Sequence, residues 1–261
     1  MLQLARNTIR HYPAVRVLVG INIKTTVVST KIGWVWWLLD PLIMMGIYYF
    51  LIKGIFNRGG SNYHVFVLSG IISWQFFTRA ITESTHIVTL NKQIIRQIAF
   101  PLPVMVVVPV ITQLFFAAVG MGVVMIFTYS AINIATLMII PLLLLIAMFG
   151  YGIGLFVSVL SIFLADTGKF VGYLLRAGFF ATPILYPASR LLESPNIPEA
   201  LKMILQINPM LWIIDAVRKV LLEGQMFDMQ PFLIFCCVAL FIIQIGLLWL
   251  RRNASTIVKM L

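Results

Sequence analysis

The sequence predicts an all-α integral membrane protein with six transmembrane helices, and three observations lead there. Of 261 residues, 61% are hydrophobic and only 10% are charged, and the mean hydropathy is +1.01. A water-soluble domain carries roughly 25% charged residues, and one with so few would expose apolar patches that aggregate. Lipid is therefore the solvent for most of this surface. The apolar runs are long and unbroken, as in Leu137–Leu164, unlike the alternating segments of about ten residues that build a barrel. Backbone groups in a bilayer have to pair within their own segment, which leaves helices.

Residues 1–31 are too polar to span and carry Arg6, Arg10, Arg16, Lys24 and Lys31. At helical spacing Leu2, Ile9, Tyr12, Val15, Val19 and Ile23 share one side, with Arg6, Arg10 and Lys24 opposite. Arg16 falls in the apolar sector and Pro13 interrupts the pattern. The segment reads as an amphipathic helix in the cytoplasmic interface rather than a signal peptide, since it lacks an apolar core and a cleavage site.

Residues 32–261 form the transmembrane domain, with spans at 32–56, 65–86, 102–129, 137–164, 168–186 and 232–250. The first opens with Trp34, Trp36 and Trp37, an interfacial aromatic cluster. Pro103 and Pro109 allow a kink near the start of the third. Residues 91–99 are a short polar helix ending at Phe100-Pro101. In residues 187–230, prolines separate two pieces too short to cross, Pro198–Gln206 and Pro209–Glu223. Asn208 as N-cap, Pro209 in the first turn and Gly224 past the end bound the second piece. Together they predict a re-entrant hairpin on the outer side.

Net charge is +11, and its distribution orients the chain. The N-terminal segment, Lys92, Arg96, Lys169, Arg251, Arg252 and Lys259 place most basic residues on one face. Glu193, Glu199, Asp215, Glu223 and Asp228 nearly neutralise the opposite one. Both termini are therefore expected in the cytoplasm, and the excess charge faces membrane lipids and not nucleic acid. Cys236 and Cys237 are adjacent inside a span, which indicates neither a disulfide framework nor a metal site.

Four ionisable residues fall at or near membrane depth: Asp40, Arg79, Glu83 and Arg176. Such charges pair or line a wet path. Arg79 and Glu83 have the spacing of an intrahelical pair, with a coupling or gating role as the alternative. Asp40 precedes Pro41 and suits either a local cap or a conduit; Arg176 has no partner within its own span. Trp37, Tyr48, Tyr49, Phe170, Tyr173, Phe179, Phe180 and Tyr186 are candidates for a conduit lining, because aromatic faces pack on sugar rings, although helix packing and lipid contact explain them too. No repeated Asp, Glu and His pattern suggests a proton-coupled pump, no catalytic constellation appears, and no G-x-x-x-x-G-K-[ST] phosphate loop is present. No catalytic, cofactor-binding or metal residue is therefore named, and if ATP drives transport, another chain hydrolyses it.

The order of these elements resembles the ABC type-2 exporter permeases, and within them the cell-surface polysaccharide branch that exports O-antigen, capsule or teichoic-acid polymers. The resemblance is carried by Ile32-Gly33-Trp34 with Pro41, by Ser69-Gly70-Ile71-Ile72-Ser73-Trp74-Gln75-Phe76-Phe77, and by Asn91 through Ile94-Ile95-Arg96 to Phe100-Pro101. Pro183-Ile184-Leu185-Tyr186-Pro187 and Asn208-Pro209 complete it. After the fourth span these permeases often carry an aromatic-Arg-Asp turn; here Phe163-Leu164-Ala165-Asp166 keeps the Asp without the Arg. The resemblance implies a homodimer in the bacterial cytoplasmic membrane, joined to two copies of a separate nucleotide-binding ATPase that holds ATP and Mg²⁺. Asn91, Lys92 and Arg96 would transmit its closure, and the first and fifth spans would form the conduit for a lipid-linked glycan. Arg6, Arg10, Arg16, Lys24 and Lys31 would receive its headgroup or ordinary anionic lipid. A small amphiphile as cargo, or a channel or scaffold of another class, are the competing readings.

Overall fold

Helices account for almost all of the residues described in the computed structural model, which are 11–28, 35–60, 62–93, 95, 100–195 and 197–260. The expected roles of Arg6, Arg10, Lys31 and Arg96, and the Ile32–Trp34 motif, lie outside the described residues. Helix α1 runs Tyr12–Val28, with Pro13 in its first turn, where a missing N–H breaks no helical bond. Proline is therefore no interruption there. Val15 is buried and α1 packs on the third long helix, but Tyr12, Val17 and Ile21 point outward. The predicted apolar side is right at Val15 and wrong at Tyr12, since the buried strip is narrower than the periodic pattern.

Helix α2, Val35–Tyr49, holds Pro41 in its interior and continues as a wide π-helical turn, Phe50–Ile55. The Phe56 N–H reaches back to the Leu51 carbonyl, at 3.1 Å. α3 (Tyr63–Leu90), α4 (Leu102–Phe127), α5 (Ile139–Phe163) and α10 (Met229–Met260) form the packed centre. Small residues let them approach closely, as membrane helices require. A Cβ on Gly154 would meet Ser84 Oγ at 2.7 Å, one on Gly150 would meet Ala80 at 3.1 Å, and one on Gly152 would meet Ile242 at 2.9 Å. Two short 3₁₀ turns, Tyr129–Ala131 and Ile134–Met138, join α4 to α5.

Five stretches are long and apolar enough to cross a membrane: Val35–Ile55, Tyr63–Leu90, Leu102–Phe127, Ile134–Phe163 and Met229–Asn253. The segment expected at 168–186 is a shorter helix, α6, Thr167–Ala181. Its 15 residues reach about 22 Å at 1.5 Å per residue. An extended stretch follows, and then α7 (Ala188–Leu192), α8 (Glu199–Gln206) and α9 (Pro209–Leu222). The hairpin signals read from sequence hold: the Asn208 side chain accepts from Met210 N–H, Pro209 opens α9, and Gly224 has φ +64°.

The stretch after α6 poses a problem of unpaired backbone. Pro183 and Pro187 have no N–H, so this segment cannot continue the helix, and its carbonyls lose their regular partners. Arg218 of α9 supplies replacements. Buried to 4% exposure, it donates through Nη1 to Pro183 O and through Nη2 to Ile184 O, both at 2.7 Å. Its Nε donates to Phe66 O at 3.3 Å, and the guanidinium lies 3.4 Å from the centre of the Phe66 ring. Burial pulls this guanidinium down to about 9 from its ordinary value, with Asp215 acting in the opposite sense. Tyr63 Oη donates to Leu185 O at 2.8 Å, and Asn208 Nδ2 donates to Thr182 Oγ1 at 2.9 Å. Sequence reasoning counted Arg218 among outer-loop charges; it is instead an interior clamp.

Gly70 makes room for that clamp, because a Cβ there would lie 2.8 Å from Arg218 Nη2 and 3.3 Å from the Ile184 carbonyl. Arg218→Met removes the donors of two carbonyls and should cost about 2–5 kcal/mol. Gly70→Ala should cost less, about 1–3 kcal/mol, by overpacking. Thermal unfolding in detergent micelles reads both; an unshifted midpoint for Arg218→Met would remove the clamp from the account.

Candidate functional site

A groove of about 440 Å³ runs between α2, α3 and α6. It brings together three predicted conduit residues, Tyr48, Phe179 and Phe180, with the predicted intramembrane charge Arg176. Tyr48 and Phe179 stack with centroids 5.8 Å apart, and Phe179 meets Phe180 edge-on at 5.3 Å. Trp74, which the sequence reading did not single out, adds an edge-to-face contact with Phe179 at 6.5 Å. α6 can lie this close because residue 178 is glycine: a Cβ there would touch the Trp74 ring at 3.0 Å.

Polar side chains line the remainder. Gln75, Thr78 and Thr82 recur at helical spacing on α3 and face the groove with Arg176. The wall is thus aromatic toward the end of α6 and polar toward its start. Such a surface offers flat apolar faces to sugar rings and hydrogen-bonding groups to their hydroxyls.

The other candidates sit elsewhere. Phe170 and Tyr173 are 67% and 69% exposed on the open face of α6; Arg176 lies over the Tyr173 ring, at 5.7 Å. Tyr49 packs against Tyr63 and His64 at the start of α3. Tyr186 donates through its hydroxyl to Phe180 O. Trp37 stacks on Phe116 of α4 at 4.7 Å, away from the groove, its Nε1 buried without a partner among the described residues. At the end of α3, Asn91 caps the helix through Nδ2 to Ile87 O at 2.8 Å, and Lys92 is half-exposed. Arg16 and Lys24 stand exposed on α1.

The intramembrane charges pair differently from the expectation. Arg79 does not bond Glu83; its Nη2 donates to Asp40 Oδ2 of α2 at 2.6 Å, and Gln75 Nε2 donates to the same oxygen at 3.1 Å. Glu83 accepts instead from Gln113 Nε2 of α4. The reason is geometric: α3 lies between α2 and α4, so each charge finds a partner on the helix it faces. At the turn after α5, Asp166 pairs with Lys169 at 3.0 Å on the open surface, where the polysaccharide-branch pattern would have placed an Arg.

Asp40–Arg79 fastens a helix that is otherwise little buried, and its partly exposed side chains temper its strength. A double-mutant cycle with Asp40→Ala and Arg79→Ala should give a coupling of about 1 kcal/mol in thermal stability. Zero coupling would leave α2 held by its aromatic contacts alone.

Known proteins place this architecture. The chain is 29% and 28% identical, over 212 residues, to two Klebsiella pneumoniae proteins named O-antigen export system permease protein RfbA. Those alignments cover 80% of each chain. A Myxococcus xanthus protein of the same name is 23% identical over 252 residues, 95% of this chain and 94% of that one. Residues 13–222 match the family described as ABC-2 type transporter. With helices α1 to α9 inside that match, the chain belongs to the ABC-2 type transporter family.

Proposed function

We propose that this chain is the permease subunit of an ATP-driven exporter that moves a lipid-linked cell-surface polysaccharide of the O-antigen type out of the bacterial cytoplasm. The observation that carries the reading is the aromatic and polar groove between α2 and α6, in a chain whose relatives are named for O-antigen export. Two copies of the chain, each with its α2 and α6 turned to the other, would close their grooves into one conduit. The exposed row Phe170, Tyr173 and Leu174 on α6 is the apolar surface such a partner would cover. α6 with its extended tail to Tyr186 would complete a sixth crossing. Both termini would then lie in the cytoplasm of the inner membrane.

Driving force comes from two copies of a separate ATPase subunit that holds ATP and Mg²⁺. The segment from Asn91 through Lys92 to Arg96 is the contact that would receive its closure. α1, tied to the same region by the His11–Phe100 ring contact at 5.3 Å, presents Arg16 and Lys24 to the headgroups of the inner leaflet. The glycan's lipid diphosphate would enter there. Its sugars would slide along stacking faces that hold no single register.

Removal of the chain from its native cell should abolish surface polysaccharide while lipid-linked glycan accumulates inside, and a plasmid copy should restore export. Gly172 lines the groove and a side chain there meets nothing within 4 Å. Gly172→Trp should therefore fold and assemble with the ATPase yet lower export at least about tenfold, by filling the path. Gly122→Trp, also in open space but outside the groove, is the control. Normal export with the groove filled would rule the groove out as the path.

A further inference from the structure

Beyond the groove, at the end nearest the π-helical turn, two adjoining cavities of about 360 and 320 Å³ share Ile52, Leu185, Tyr186 and Arg190 as walls. Each falls within the roughly 300–1,000 Å³ range of ligand sites. Arg58 enters the second cavity from the loop after α2, and Arg190 from α7. Neither arginine belongs to an ion pair among the described residues, and neither cavity is lined by a carboxylate. Asn62, at the start of α3, makes no side-chain cap bond and also faces the space.

The mouth is held in shape by its backbone. Asn57 has φ +48° and Gly59 φ +111°, and a Cβ on Gly59 would strike the Tyr63 ring at 2.8 Å. Lys53 Nζ reaches Gly60 O at 3.5 Å. Exposed Phe50, Ile55 and Phe56 lie beside the opening on α2. Two converging guanidiniums with an apolar flank suit a ligand that has a phosphate head and a hydrocarbon tail.

We propose that Arg58 and Arg190 form a phosphate-binding subsite at the outer mouth, which takes the headgroup of a phosphate-bearing amphiphile; the outer placement rests on the export reading above. On that reading the subsite receives the lipid diphosphate after it has crossed. Ordinary anionic phospholipid offers the same chemistry, so the experiment separates the two sources.

The test uses the complex purified with its ATPase subunit, in which Cys236→Ser and Cys237→Ser remove the native thiols and Asn62→Cys supplies a reporter. Polyprenyl diphosphate should slow labelling by a charged maleimide on the order of tenfold, as expected for lost charge-assisted hydrogen bonds. Neutral polyprenol should not. Equal protection by phosphatidylglycerol would support the subsite and name a membrane lipid as its occupant. Protection that survives Arg58→Gln with Arg190→Gln, or none with either lipid, would overturn the assignment. If Asn62→Cys does not react, equilibrium binding of polyprenyl diphosphate to the native complex and to the Arg58→Gln, Arg190→Gln variant decides; equal stoichiometry overturns it. In whole cells, labelling that needs a broken membrane would fault the orientation while the purified-complex result stood.

Discussion

Carbonyl groups that leave a helix inside a membrane protein need donors from somewhere, and here one arginine answers most of that need. Pro183 and Ile184 accept from Arg218, and Leu185 accepts from Tyr63. Without those bonds the tail of α6 would have no fixed place, and each orphaned carbonyl would cost roughly 1–3 kcal/mol. Because the tail is anchored, α6 stands at a set distance from α3, and the groove has a width. The clamp also explains a small residue that packing alone would not demand: Gly70 is where the guanidinium lies flat against α3.

The rest of the molecule divides into a tight centre and a loose flank. α3, α4, α5 and α10 close on one another through Gly150, Gly152, Gly154 and Gly246, so dispersion and close backbone contact hold them. α2 has little buried surface. It is attached by a charge pair, by Trp37 on Phe116 and by Tyr48 on Phe179. A helix attached at a few directional points can shift its angle without opening an oil-filled core, and that is what a wall of a passage has to do.

Much of this was legible in the chain alone. Apolar run length gave the long helices, and the Asn208, Pro209 and Gly224 boundary signals gave α9 to within a residue. Those are local properties. The pairing of Asp40 with Arg79, of Glu83 with Gln113, and the burial of Arg218 depend on how neighbouring helices are rotated, and no spacing within one helix encodes that. Trp74 was missed for a related reason: it sits in a run with Phe76 and Phe77, and only the placement of Gly178 shows which ring faces α6. The groove was half readable, since Tyr48, Phe179 and Phe180 meet in it, whereas Phe170 and Tyr173 on the same helix face away.

The wide turn at Phe50–Ile55 carries a consequence for how this protein can vary in length. One surplus residue is already absorbed there, as π-helical turns do. Restoring ordinary winding by deleting a residue would swing everything after it by about 100°. Arg58 and the Gly59-Gly60 bend would then turn away from Tyr63, although the helix before the bulge kept every contact. The two ends of α2 are in this sense mechanically independent, and the stagger between them is stored in a single loosened coil.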